Sequence, residues 1–142
     1  VKGKAAFITE CSDPVFNQKR MGDGMVFMPE EGLIVSPVNG PVLMVFPTKH
    51  ALGIRTEEGT ELLIHMGRNT VSLEGRPFEL YVGEGDTVKA GQKIARMYLK
   101  ALAAEGLSTE TPVVITSMQP VTVQNTGTVN WGDSLMTITQ KD

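Results

Sequence analysis

The stretch Phe46-Pro-Thr-Lys-His50-Ala-Leu-Gly-Ile-Arg-Thr-Glu-Glu-Gly59-Thr-Glu-Leu-Leu-Ile-His65-Met-Gly67 holds both histidines of the chain. Apolar and β-branched residues flank a polar Thr56-Glu-Glu-Gly59 segment, a pattern that predicts a β-hairpin. A loop with an even number of residues sets His50 directly opposite His65, on one face, with Cβ atoms roughly 4.5–5.5 Å apart. A three-residue loop built on Gly59 shifts the register by one and sends the two to opposite faces. Thr48 precedes His50 by two residues and shares its face under strand alternation. Two imidazoles in register with a hydroxyl beside them mark this hairpin as the place to look for chemistry.

Outward from the hairpin the same pattern repeats. Fifteen glycines and eight prolines punctuate short β-type runs: Gly24–Met28, Leu33–Val35, Pro41–Phe46, Ala51–Arg55, Glu61–Met66, Glu79–Val82, Lys93–Met97, Val113–Thr116, Thr128–Asn130 and Leu135–Thr139. Short strands at close spacing predict an all-β fold, an antiparallel β-sandwich or barrel-sandwich hybrid, with one or two short helical turns. Tyr98–Glu105 reads as helix, stopped by Gly106. Asn39-Gly40, between Ser36-Pro-Val38 and Pro41-Val-Leu43, is a second tight-turn signal. Glu84-Gly-Asp-Thr-Val-Lys-Ala-Gly-Gln-Lys-Ile94 weakly echoes Val129-Asn-Trp-Gly-Asp-Ser-Leu-Met136, each placing Gly-Asp before an apolar strand. No linker or low-complexity stretch breaks the chain, so residues 1–142 are read as one domain.

Composition narrows the classes. Apolar residues make up 41% and charged residues 20% of 142, as in a globular protein. The formal charge of −3, with Lys and Arg scattered, gives no footprint for nucleic acid. No apolar run approaches the roughly eighteen residues that a membrane helix needs. The lone Cys11 excludes an internal disulfide, fits a reducing compartment, and reads as an inert small residue. Three chemistries could use a His pair. Zinc would lack at least one further protein ligand nearby in sequence. Hydrolysis would want a Ser or Cys nucleophile beside a base, and Ser36, Ser72 and Cys11 carry no such motif. Phosphoryl carriage needs one imidazole as nucleophile and another to stabilise charge. Histidine suits that task, since its ordinary pKa near 6.5 leaves a large neutral fraction at cytoplasmic pH.

These residues also carry a family resemblance. The blocks Phe46-Pro-Thr-Lys-His50-Ala-Leu-Gly53 and Glu61-Leu-Leu-Ile-His65-Met-Gly67, then Thr70-Val71, resemble the glucose-family IIA component of the bacterial phosphoenolpyruvate-dependent sugar phosphotransferase system. Ser12-Asp-Pro-Val-Phe16, Met21-Gly-Asp-Gly24, Ser36-Pro-Val-Asn-Gly40, Gly85-Asp-Thr-Val-Lys-Ala-Gly91 and Thr111-Pro-Val-Val-Ile-Thr116 extend the likeness over residues 10 to 139. The resemblance implies that His65 takes a phosphoryl group from the phosphohistidine of HPr and passes it to a cysteine of a IIB domain. It implies that His50 donates a hydrogen bond to that group and that Thr48 orients His50. No cofactor or metal is required.

The resemblance further implies an apolar docking patch ringed by carboxylates, matched here by Asp13, Val15, Phe16 and Phe46. Phe16 and Phe46 could equally be ordinary core, and Asp13 a turn cap before Pro14. After the active histidine, where the family commonly has an acidic residue, this chain has Gly67-Arg68-Asn69. Arg68 adds a cation to the docking rim and Asn69 removes a carboxylate. Pro77 and Tyr98 also depart from the family pattern, and the amino-terminal strand is shortened to Val1–Ile8. The domain is expected to be a cytoplasmic monomer, alone or tethered to a IIBC permease. The alternative is a IIA-like regulatory module whose phosphorylation controls a transporter without onward transfer. A lipoyl- or biotinyl-type carrier would need a lysine at a hairpin tip between apolar residues, a context that Lys89 and Lys93 lack.

Overall fold

A computed structural model of the chain describes residues 2–47, 50–67, 77–133 and 135–138. The strands are β1 (Gly3–Phe7), β2 (Gly24–Pro29), β3 (Leu33–Val35), β4 (Gly40–Val45), β5 (Ala51–Arg55), β6 (Glu61–His65), β7 (Phe78–Leu80), β8 (Thr87–Val88), β9 (Lys93–Met97), β10 (Thr111–Ile115), β11 (Val121–Val123), β12 (Gly127–Val129) and β13 (Met136–Ile138). Two short helices join them, α1 (Pro14–Asn17) and α2 (Leu99–Ala104), with a 3-10 turn at Ile8–Glu10. The fold is therefore all-β, as the glycine-punctuated pattern predicts. Among the described residues no helix is long and apolar enough to cross a membrane.

Eight strands form one sheet in the order β12-β1-β2-β10-β6-β5-β4-β8, and β3-β9-β7 form a second. Every pairing in them is antiparallel. The central strands β10 (Thr-Pro-Val-Val-Ile) and β5 (Ala-Leu-Gly-Ile-Arg) are buried almost throughout. That burial explains why they read as continuous apolar runs without alternation. Their side chains feed two clusters. The larger holds Met25, Phe27, Leu52, Ile54, Ile64 and Met66 together with Ile34, Ile94 and Met97 of the second sheet. The smaller holds Ile8, Cys11, Phe16, Val26, Ala51, Leu63 and Val114. Since Ile64 and Leu63 are strand neighbours in different clusters, the clusters lie on opposite faces of the large sheet.

The Asn39-Gly40 signal marks a crossover and not a hairpin. β3 pairs with β9, whereas β4 pairs with β5 and β8, so the chain changes sheets between them. Gly40 is required there because a Cβ would lie 1.7 Å from the Arg55 carbonyl oxygen. The Gly-Asp echo is structural. In both copies the Asp carboxylate accepts from the backbone N–H three residues earlier, Asp86 from Gly83 and Asp133 from Asn130, each at 2.8 Å. Both glycines, Gly85 and Gly132, are left-handed, with φ of 92° and 88°.

Candidate active site

The β5–β6 hairpin closes on the three-residue loop. Thr56 N–H bonds Thr60 O, Gly59 N–H bonds Thr56 O, and Gly59 has a φ of 87°. This is a turn followed by a left-handed glycine, one of the standard hairpin connections. The residue paired with His65 is accordingly Ala51, and not His50. In-register pairing of the two histidines is thus overturned, yet the rings still meet, with centroids 5.1 Å apart and planes at 75°. The reason lies at the strand end. His50 precedes β5 in a bend, where alternation no longer fixes direction, while its carbonyl still accepts from Met66 N–H at 2.7 Å. Across from His65 the Ala51 methyl leaves room for the imidazoles.

The pair sits over the smaller cluster in a row of four rings. Phe16 lies 5.1 Å from His65 and Phe46 lies 5.1 Å from His50, both within the ordinary range of aromatic contacts. His50 is buried and His65 half-buried. Gly67, with φ at 77°, turns its carbonyl back onto the ring, so that His65 Nδ1 lies 2.8 Å from Gly67 O. A carbonyl only accepts, so Nδ1 carries the proton and the Nε2 lone pair is left for chemistry. Burial pushes the His65 pKa below its usual 6.5, against opposing pulls from the Gly67 hydrogen bond and the Asp13 charge. His50 is lowered by burial and then by the neighbouring His65. Both shifts favour the neutral form of the rings.

Asp13 caps α1, its Oδ1 accepting from Val15 N–H at 3.0 Å ahead of Pro14 at the first helical position. The turn-cap reading of Asp13 is thus met, and the negative charge of the same carboxylate pulls the His65 pKa upward. Val15 is 44% exposed, and Phe46 is half-buried. Phe16 is buried and walls the His65 ring. Thr48, Arg68 and Asn69 lie outside the described residues. Among the described residues no three His, Cys, Asp or Glu side chains come together in a metal-ligating group.

Met44 escaped the sequence reading. It is 47% exposed and pairs with Gly53, one step along the His65 face from the position of Phe46. Alternation from Phe46 back to Met44 is the signal that locates it. The Gly67 carbonyl was equally hidden, because a backbone group leaves no mark in a sequence beyond the glycine that frees it.

Residues 1–121 match the family model of the phosphoenolpyruvate-dependent sugar phosphotransferase system, EIIA 1. The chain belongs to this family. It is 48% identical over 115 residues to a glucose-specific EIIA component of Bacillus cereus, a match covering 81% of this chain and 70% of that one. It is 41% identical over 140 residues to a glucose-specific EIICBA component of Staphylococcus carnosus, covering 97% of this chain. The chain spans about a fifth of that longer relative, 21% of its length. The glucose permease IIA of Mycoplasma capricolum has the same fold, with a TM-score of 0.87 at 35% identity over 95% of this chain and 89% of that one.

Proposed function

We propose that this EIIA-family domain is a phosphohistidine carrier that accepts a phosphoryl group on His65 Nε2. The observation that carries the reading is the Nδ1–Gly67 contact at 2.8 Å, which leaves Nε2 as the nucleophilic atom of a neutral ring. The donor is the phosphohistidine of HPr. Its N–P bond breaks as the bond to Nε2 forms, and the electron pair leaves with the donor imidazole. The acceptor ring gains positive character, which the Gly67 carbonyl and the Asp13 carboxylate stabilise. His50 offers an N–H to the phosphoryl oxygens from the adjoining position, with Thr48 orienting it. Little covalent work remains for the protein, and positioning supplies most of the catalysis.

Onward transfer goes to a cysteine thiolate of a IIB domain, carried on a separate chain or fused within a IICBA permease. Val15, Phe46 and Met44 offer apolar contact around the pair, with Asp13, Arg68 and Asn69 setting the charge of the rim. The domain works as a cytoplasmic monomer, or as the cytoplasmic part of a permease, in short-lived complexes with both partners. Phosphoenolpyruvate, Enzyme I and HPr, then a IIB domain, provide the test. The carrier reading expects a label on the wild type that disappears when IIB is added. A label that persists in the presence of competent IIB would transfer support to a regulatory module.

A further inference from the structure

Helix α1 is four residues long, too short to hold itself by its own hydrogen bonds. It nevertheless supplies two of the groups that act on His65, the Phe16 ring and the Asp13 carboxylate. Something outside the helix must therefore fix residues 11 to 17. From below, the buried Cys11 and Phe16 side chains enter the smaller cluster, and Asn17 Nδ2 donates to Cys11 O at 3.0 Å. From the side comes a contact with a residue 98 positions away: Glu110 Oε2 accepts from Ser12 N–H at 3.1 Å. Glu110 Oε1 accepts from the Ser12 hydroxyl and, at 3.3 Å, from Ser108 Oγ. Glu110 is itself anchored. Its N–H bonds Ser108 Oγ at 3.1 Å, and the next residue is the buried Thr111 that opens β10 at the centre of the large sheet. Cys11, Asp13, Phe16, Gly67, Glu110 and Pro112 line one small cleft, so the staple stands beside the carbonyl that holds the His65 proton.

We propose that Glu110 is a positioning residue for the His65 site, stapling Ser12 to β10 so that Asp13 and Phe16 stay against the imidazole. Its carboxylate works by accepting hydrogen bonds, and not by its charge. A glutamine at this position keeps a carbonyl oxygen for Ser12 N–H, whereas alanine keeps none. The kinetic half of this proposal rests on the phosphohistidine reading. The geometric half does not.

The test compares Glu110→Ala, Glu110→Gln and Ser12→Ala with wild type in two measurements. In NMR titrations of the ring protons, Glu110→Ala should shift the His65 midpoint, because the Phe16 ring that buries the imidazole and the Asp13 carboxylate beside it are no longer held in place. Glu110→Gln should restore most of the wild-type value, and Ser12→Ala, which removes only the hydroxyl, should move it part-way. In phosphoryl transfer from phospho-HPr, Glu110→Ala should be about tenfold slower, in keeping with sub-ångström misplacement of a reacting group, with Glu110→Gln recovering most of the rate. An unchanged His65 midpoint in both Glu110→Ala and Ser12→Ala would overturn the proposal. So would equal shifts in Glu110→Ala and Glu110→Gln, which would show a charge effect instead. Failure of wild type to accept phosphate would count against the carrier reading alone, and the titrations would still decide the role of Glu110.

Discussion

At the scale of single residues, the site depends on which ring nitrogen is free and whether the ring is neutral. Both histidines are shifted below 6.5, so at that pH, where an unperturbed imidazole is half protonated, they remain mostly neutral. NMR titration should therefore give midpoints below 6.5 for both rings. The linked effect on stability follows from the sign of the shift. Between the folded and unfolded pKa values the unfolded chain binds more protons, so the contribution of the pair is complete above about pH 6.5 and is lost as the pH falls through the folded values. The acid-side decline in unfolding free energy should accordingly be shallower in His50→Gln/His65→Gln than in wild type, read by urea titrations across the pH range. Gly67 is the second residue-scale test. Its φ of 77° costs any residue with a Cβ about 1–2 kcal/mol, so Gly67→Ala should destabilise by that amount and slow labelling by turning the carbonyl away from Nδ1.

At the scale of elements, the hairpin shows what a sequence can and cannot specify. Apolar arms around Thr56–Gly59 announced a hairpin, but two registers were open, and the residue pattern alone does not count loop residues. The left-handed Gly59 selects the three-residue loop. The two histidines meet because His50 lies beyond the end of β5, an effect of strand termination that alternation rules do not reach. Asn39-Gly40 misled for a related reason. Glycine serves both tight turns and close backbone approach, and here it admits the Arg55 carbonyl at the crossover between sheets. The two glycines should behave differently when replaced. Gly40→Ala meets backbone at 1.7 Å and should cost about 3 kcal/mol or more, whereas Gly59→Ala meets no atom within 4 Å and should cost about 1–2 kcal/mol of left-handed strain. Chemical denaturation of the two variants checks the contrast. The Gly-Asp echo, by comparison, was legible because a carboxylate three residues from its N–H partner is a local device.

At the scale of the whole molecule, one sheet separates two jobs. Its inner face joins the second sheet in the larger cluster, which holds the fold, while its outer face carries the smaller cluster on which the site is built. The all-β class was readable from punctuation and short apolar runs. The assignment of Phe16 to the wall of the site was not, because its contact with His65 joins distant parts of the chain through tertiary packing. Leu52→Ala, at a fully buried position in the larger cluster, should cost about 2–5 kcal/mol while leaving the His65 titration in place. Phe16→Ala should cost about 3–5 kcal/mol and move that titration as well, since it opens the ring to water. Both faces serve the proposed phosphoryl acceptor, His65. Intact-mass labelling with phosphoenolpyruvate, Enzyme I and HPr tests that role most directly, on wild type, His50→Gln and His65→Gln. Wild type should carry one acid-labile phosphoryl group, His65→Gln none, and His50→Gln a label that is not passed to IIB. Equal labelling of His65→Gln and wild type would contradict that role.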